Sequence, residues 1–246
     1  MKVTFYFLLL VVCGYGCDVA QSGGPGMAQA QSGEGRVIVV GIDRTEGYQA
    51  MTRSALRLAE KVVLDARPGD RVIFRWISAA SYGPDQTIAV LDLPVPDLPV
   101  PKSSMDREGQ VARQRAARRA ATRIAESKLA MVELLRKACV GATRATDIAG
   151  FVEAAAEIFA AAPTSKSRRL VLYTDLLDNR HFDVSPDLRD VLVEAHLVRT
   201  LEDPGVAGEL REDWRSRFLA WGARQVTFPP VIDVGRVEES DTCELP

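Results

Sequence analysis

Residues 37–40, Val-Ile-Val-Val, form a run of β-formers that stops at Gly41 and runs into a polar loop from Asp43 to Gly47. From residue 49 to 66 the period changes. Met51, Ala55, Leu58, Ala59, Val62 and Val63 recur at spacings of three and four, which predicts an amphipathic helix. Arg67-Pro68-Gly69-Asp70 is a turn closing that helix, and 71–78, RVIFRWIS, alternates as a second strand. Residues 87–91 predict a short edge strand. A near-continuous apolar run at 169–174 predicts a buried central strand that ends at another acidic loop, from Asp175 to Asn179. Residues 191–198 fit a further strand, although their apolar positions also suit a helix. A last helix over 208–222 carries Leu210, Trp214, Phe218 and Trp221 as its buried stripe, and 225–228 is a short closing strand.

Between these elements lie two unusual stretches. Residues 92–101 are a tandem pentapeptide, Asp-Leu-Pro-Val-Pro repeated. Its prolines lack ladder donors and favour an extended, polyproline-like path, read either as a stiff connection or as a ligand for a partner. Residues 106–138 hold no proline and predict a long helix, with Val111, Ala117, Ala121, Ile124, Leu129, Val132, Leu135 and Ala138 expected on the sheet. Its other faces are rich in arginine. Such a surface can hold an acidic partner, phosphate groups or lipid headgroups, or can simply be solvated. A loop at 141–147 then opens a helix over 148–162 that stops before Pro163.

Strands alternating with helices predict an α/β fold, a doubly wound, mostly parallel central sheet with helices on both faces. The 246 residues suit one such domain at 36–228, and a hydrophobic fraction of 47% can fill its core. The formal charge of -2 and pI near 5.8 give no global attraction to nucleic acid or to an anionic membrane.

The amino terminus is of another kind. Lys2 and an apolar run at 5–12 have signal-peptide character, and the run is well short of the roughly 20 residues that span a bilayer. Gly14-Tyr15-Gly16-Cys17 resembles a bacterial lipobox. That resemblance implies a signal segment at 1–17, lipidation of Cys17, and, through Asp18, retention as an inner-membrane lipoprotein facing the periplasm. Residues 18–35, poor in bulky apolar groups, read as a flexible tether, and 229–246 as a carboxyl-terminal tail. Cys139 and Cys243 remain in the mature chain, either bridged or as two free thiols. No CxxC or His-rich spacing suggests zinc.

In an open parallel sheet, ligands sit beyond the carboxyl ends of the strands, near helix amino termini. Three loops there present oxygen: Asp43 and Thr45, then Thr143 or Thr146, then Asp175. Asp43-Arg44-Thr45-Glu46-Gly47 resembles the Asp-x-Ser/Thr-x-Ser signature of von Willebrand factor type A domains. Residues 141–149 resemble that family's middle threonine loop, and Leu172-Tyr173-Thr174-Asp175 its strand ending in Thr-Asp-Gly. The resemblance covers about 36–228 and departs at two positions, Gly47 for the third hydroxyl and Leu176 for the glycine. It implies a metal-ion-dependent adhesion site in which Asp43, Thr45, Thr146 and Asp175 hold Mg²⁺ or Mn²⁺, with Thr143 as the other choice of threonine. It also implies a protein partner presenting an acidic residue, and binding without catalysis or nucleic acid.

Other readings stand beside this one. Thr45 and Thr146 can cap the helices that follow them, and Asp175 can bond neighbouring amides. Asp178, Asn179 and His181 lie on the same rim. A metal-dependent phosphatase or hydrolase on a similar sheet is the enzymatic alternative, and an envelope subunit with an inactive metal site the structural one. Against an enzyme, Thr45 stands where haloacid dehalogenase-like phosphatases need a second aspartate. The sequence also has no P-loop, no glycine pair of the sugar kinase type and no evident Ser-His-Asp or Cys-His set.

Overall fold

The strand-helix alternation read from the sequence is realised in a computed structural model that describes residues 35–138, 141–178, 184–196 and 204–230. Strands β1 (Arg36–Asp43), β2 (Arg71–Ile77), β3 (Thr87–Asp92), β4 (Ser167–Tyr173), β5 (Val191–His196) and β6 (Gln225–Thr227) form one sheet in the order β3-β2-β1-β4-β5-β6. Only β3 runs antiparallel, as a neighbour of β2. The other pairs are parallel, with Val37 opposite both Arg71 and Arg168. The helices are α1 (Gln49–Asp65), α2 (Arg107–Lys137), α3 (Ile148–Ala161) and α4 (Pro204–Ala220). Residues 191–196, which suited either element, are a strand. The candidate signal segment with Cys17, residues 18–34 of the tether, Cys139, Cys243, Asn179 and His181 lie outside the described residues.

Because β1 is covered on both faces, its apolar side chains divide by parity. Ile38, Val40 and Ile42 enter a core with α1 and the end of α2, whereas Val37 and Val39 join α3 and α4 around Phe151, Phe159, Trp214 and Phe218. Gly41 is not the end of the strand, as its residue type suggested; β1 continues through it to Asp43. A Cβ at Gly41 would stand 2.5 Å from the Phe151 ring, so glycine here lets α3 approach the sheet.

The end of the sheet where β1 and β2 begin is pinned by Asp70. This buried carboxylate accepts from Arg36 N and Arg67 N, both at 2.7 Å, and from Arg36 Nε and Nη2. The Arg36 guanidinium and the two amides outweigh the cost of burial and hold its carboxyl below the usual range.

Helix α2 packs Ile124, Val132, Leu135 and Ala138 on the core as expected, but its other inward positions differ. The buried residues are Ala120, Met131, Val132 and Leu135, while Leu129 and Val111 are exposed. Met131 is the bulky anchor, and small alanines on every face leave the amino-terminal half without a decisive stripe. Asp106 caps the helix by accepting from Gly109 N at 2.9 Å. The proline-rich segment forms no helix or strand from 93 to 101, and among the described residues Leu93 alone in it pairs backbone groups, with Gly69 and Asp70.

Gly41→Ala should cost about 1–3 kcal/mol by overpacking against Phe151. Denaturant titration should show part of that loss recovered in the Gly41→Ala/Phe151→Leu double variant, since the two sites are in contact.

Candidate functional site

The chain steps from β1 to β2 and β3 on one side and to β4, β5 and β6 on the other, so the strand order reverses between β1 and β4. Loops leaving adjacent parallel strands at such a point diverge to opposite faces and open a crevice at the carboxyl ends. Asp43 ends β1, and Thr174-Asp175 follows β4.

Asp43 is completely buried and its carboxylate is ordered from both sides. Oδ1 accepts from Thr45 N at 2.9 Å and from Thr45 Oγ1 at 2.8 Å, and Oδ2 accepts from Thr174 Oγ1 at 2.8 Å. The Asp43 carbonyl accepts from Thr52 Oγ1 of α1 at 2.9 Å. Burial pushes the Asp43 carboxyl up to about 6. The bonds from Thr45 and Thr174 oppose that rise, nearby Asp175 adds to it, and among the described residues no basic side chain offsets the charge.

The middle loop is joined directly to the first. Thr143 bridges to Thr45, with Thr143 N donating to Arg44 O at 3.2 Å and Glu46 N donating to Thr143 O at 2.9 Å. Thr146 is buried in the same loop but makes no hydrogen bond among the described residues, to Asp43 or to any other group. Neither threonine caps an α-helix. The residue preceding α1 is Tyr48, with no side-chain cap, and α3 is capped by Asp147, which accepts from Gly150 N at 2.8 Å. The Thr45 hydroxyl is committed to Asp43 instead. Asp175 does bond a neighbouring amide, accepting from Leu177 N at 2.9 Å.

The sequence reading passed over Thr174 as the last strand residue. Its hydroxyl is central: it donates to Asp43 and accepts from Leu176 N at 3.1 Å, tying the ends of β1 and β4 together. The available signal was its place directly before Asp175, on the opposite parity from Tyr173. Leu176 has φ 64°, the left-handed conformation that glycine adopts without cost and other residues with a penalty of about 1–2 kcal/mol. Its side chain is fully buried and its carbonyl accepts from Trp214 Nε1 of α4 at 2.9 Å, which hold it there. The departure at Leu176 thus keeps a glycine-like backbone. Tyr48 was also missed. It is wholly buried near Asp43 and Asp175, its phenol is raised well above its ordinary value chiefly by burial, and its hydroxyl has no hydrogen-bond partner among the described residues.

Among the described residues no group of three or more His, Cys, Asp or Glu is placed to hold a metal. A hard cation such as Mg²⁺ needs fewer carboxylates, because it is held by one or two of them with hydroxyls and retained waters. Asp43, Asp175 and the lone pairs of Thr45 Oγ1 make a donor set of that chemistry. A cation would also supply the positive charge that the buried Asp43 lacks. Thr174 Oγ1 spends a lone pair on Leu176 N, which makes it a positioning residue for Asp43.

No family model and no curated protein matches the sequence. Solved structures do. The chain is similar to an aerotolerance-related membrane protein from Bacteroides fragilis, with 14% identity over 66% of this chain and 67% of that one, at a TM-score of 0.41. It is similar to a pilus adhesin from Lactobacillus rhamnosus GG, with 9% identity over 80% of this chain and 28% of that one, at a TM-score of 0.46. Proximal thread matrix protein 1 from the mussel byssus matches with 12% identity over 78% of this chain and 43% of that one, at a TM-score of 0.40. The chain therefore spans less than half the length of the latter two.

A native carboxyl with a pKa near 6, against 3.8 for the unperturbed group, binds its proton more tightly folded than unfolded. The contribution of Asp43 to metal-free stability should then fall as pH rises from about 4 to 6 and stay low above that. Asp43→Asn should remove this slope and, in chelator at neutral pH, raise stability by about 1–3 kcal/mol. Melting curves across that pH range check both expectations.

Proposed function

We propose that the chain is an exported, membrane-tethered binding module of the von Willebrand factor type A kind. In this reading Asp43, Thr45, Thr146 and Asp175 hold Mg²⁺ or Mn²⁺, whose open coordination position accepts a carboxylate from a partner protein. The observation that carries the reading is Asp43, a fully buried carboxylate at the switch point of the sheet, ordered by hydroxyls from two loops and offset by no basic group among the described residues. A binding role fits the state of His196, the one histidine among the described residues. It bonds Glu194 at 2.6 Å and stacks on Tyr173. The envelope location rests on the signal-like start and Cys17. Among the described residues no helix is long and apolar enough to cross a membrane.

Calorimetric and thermal titration with Mg²⁺ and Mn²⁺ tests the site. An ion bound only by the native state adds about 2.7 kcal/mol at a hundred times its dissociation constant. Asp43→Ala should abolish the response, Asp175→Ala should weaken it strongly, and Thr45→Ala or Thr146→Ala should weaken it less. Gly47→Ser, which restores the third hydroxyl, should tighten binding. No response to millimolar metal in either the natural chain or Gly47→Ser would leave Asp43 and Asp175 as structural carboxylates.

Fatty-acid labelling in a bacterial host tests the tether. The natural chain should incorporate label and fractionate with membrane, and Cys17→Ala should do neither. An unlabelled natural chain removes the lipid anchor from the reading.

A further inference from the structure

Helix α2 runs antiparallel to α1. Arg136 bonds Glu60, and Lys128 Nζ donates to the carbonyl of Leu64 at the last turn of α1. That last turn lies at the foot of the sheet, where Arg36 Nη2 reaches Asp65 O and β1 and β2 begin. From Lys128 back to Arg107 the helix continues about 30 Å past this level, at 1.5 Å per residue. The proline-rich segment leaves the same level at Leu93, which exchanges backbone hydrogen bonds with Gly69 and Asp70, and reaches Gly109 at Pro101. At about 3 Å per residue an extended path of that length matches the helix beside it. The two form an arm that projects from the foot, opposite the candidate site and at the end where the chain enters at Gly35.

The arm is strongly basic. Arg113, Arg115, Arg118, Arg119 and Arg123 are exposed, none takes part in an ion pair among the described residues, and no acidic residue lies between Glu108 and Glu126. All five are arginines, whose planar donors suit phosphate oxygens, and alanines between them allow close approach.

We infer that this arm is a docking surface for an anionic phospholipid bilayer. Charge complementarity selects phosphate-bearing surfaces, and the position of the arm beside the chain's entry at Gly35 selects the membrane. A tether attached there presents the arginines to the lipid and turns the Asp43 end away. The choice of a membrane over other phosphate-bearing surfaces, and the orientation on it, rest on the proposed tether; nothing in the inference depends on a cation.

Flotation of the full chain carrying Cys17→Ser tests it, using phosphatidylcholine vesicles with and without phosphatidylglycerol. The apolar run at 5–12 enters both vesicles and Lys2 adds its own anionic preference, so the part of the preference that the arginine variant loses reads the arm. The chain should prefer the anionic vesicles by about tenfold or more, and added salt should erase the preference. The variant Arg115→Gln/Arg118→Gln/Arg119→Gln/Arg123→Gln should lose it while keeping its melting temperature. Equal partition, or a preference retained by that variant, overturns the inference. So does a preference that emerges only when 231–246, with Glu238, Glu239, Asp241 and Glu244, is removed, because the tail would then be the occupant. Binding of these arginines to nucleic acid without a vesicle preference overturns it as well.

Discussion

The hydrogen bond from Thr174 Oγ1 to Asp43 Oδ2 joins the ends of the two strands at which the sheet reverses its winding, and the geometry of the candidate site depends on it. Asp43 is buried because β1 is the most enclosed strand, flanked by β2 and β4 and covered on both faces. A carboxylate in that place must be satisfied by hydrogen bonds or neutralised. Thr45 supplies two donors from its own loop and Thr174 a third from the neighbouring strand. Thr174 in turn orders Leu176, and Leu176 is held from α4 by Trp214. The site's acidic and hydroxyl groups are therefore positioned by the core and not by the loops alone.

Much of the fold was legible in the sequence because its apolar periods are clean. The Val37–Val40 run, the three-four spacing of α1 and the apolar run of β4 each admitted one reading. Residues 191–196 did not, since a short strand and a short helix place apolar groups alike, and the neighbouring strands decided the outcome. In helix α2 the expected Ile124, Val132, Leu135 and Ala138 pack inward, whereas Val111 and Leu129 do not, because its many alanines offer a small residue to any face. Gly41 read as a terminus because glycine is usually punctuation. Here it answers to the Phe151 ring, a contact between residues far apart in sequence.

At the site, Asp43, Thr45 and Asp175 were found from their place after strands, and the structure gathers them. Hydrogen bonding was less legible. Thr146 and Asp147 are both capping types, and only the geometry shows that Asp147 takes the cap and the buried Thr146 does not. Thr174 and Tyr48 were missed because nothing local separates a strand-end threonine or a core tyrosine from its ordinary counterparts.

The sheet has two open margins. One is β6, three residues long, and the other is β3, whose chain leads directly into the alternating prolines after Asp92. A three-residue edge gives little backbone for a second copy to pair with, and prolines cannot extend the other margin as a hydrogen-bonded strand. Copies held on one surface by the proposed tether would meet far more often than in dilute solution. The short β6 margin would give such copies little purchase for strand-to-strand pairing, and the prolines would stop any pairing along β3 from running on past Asp92.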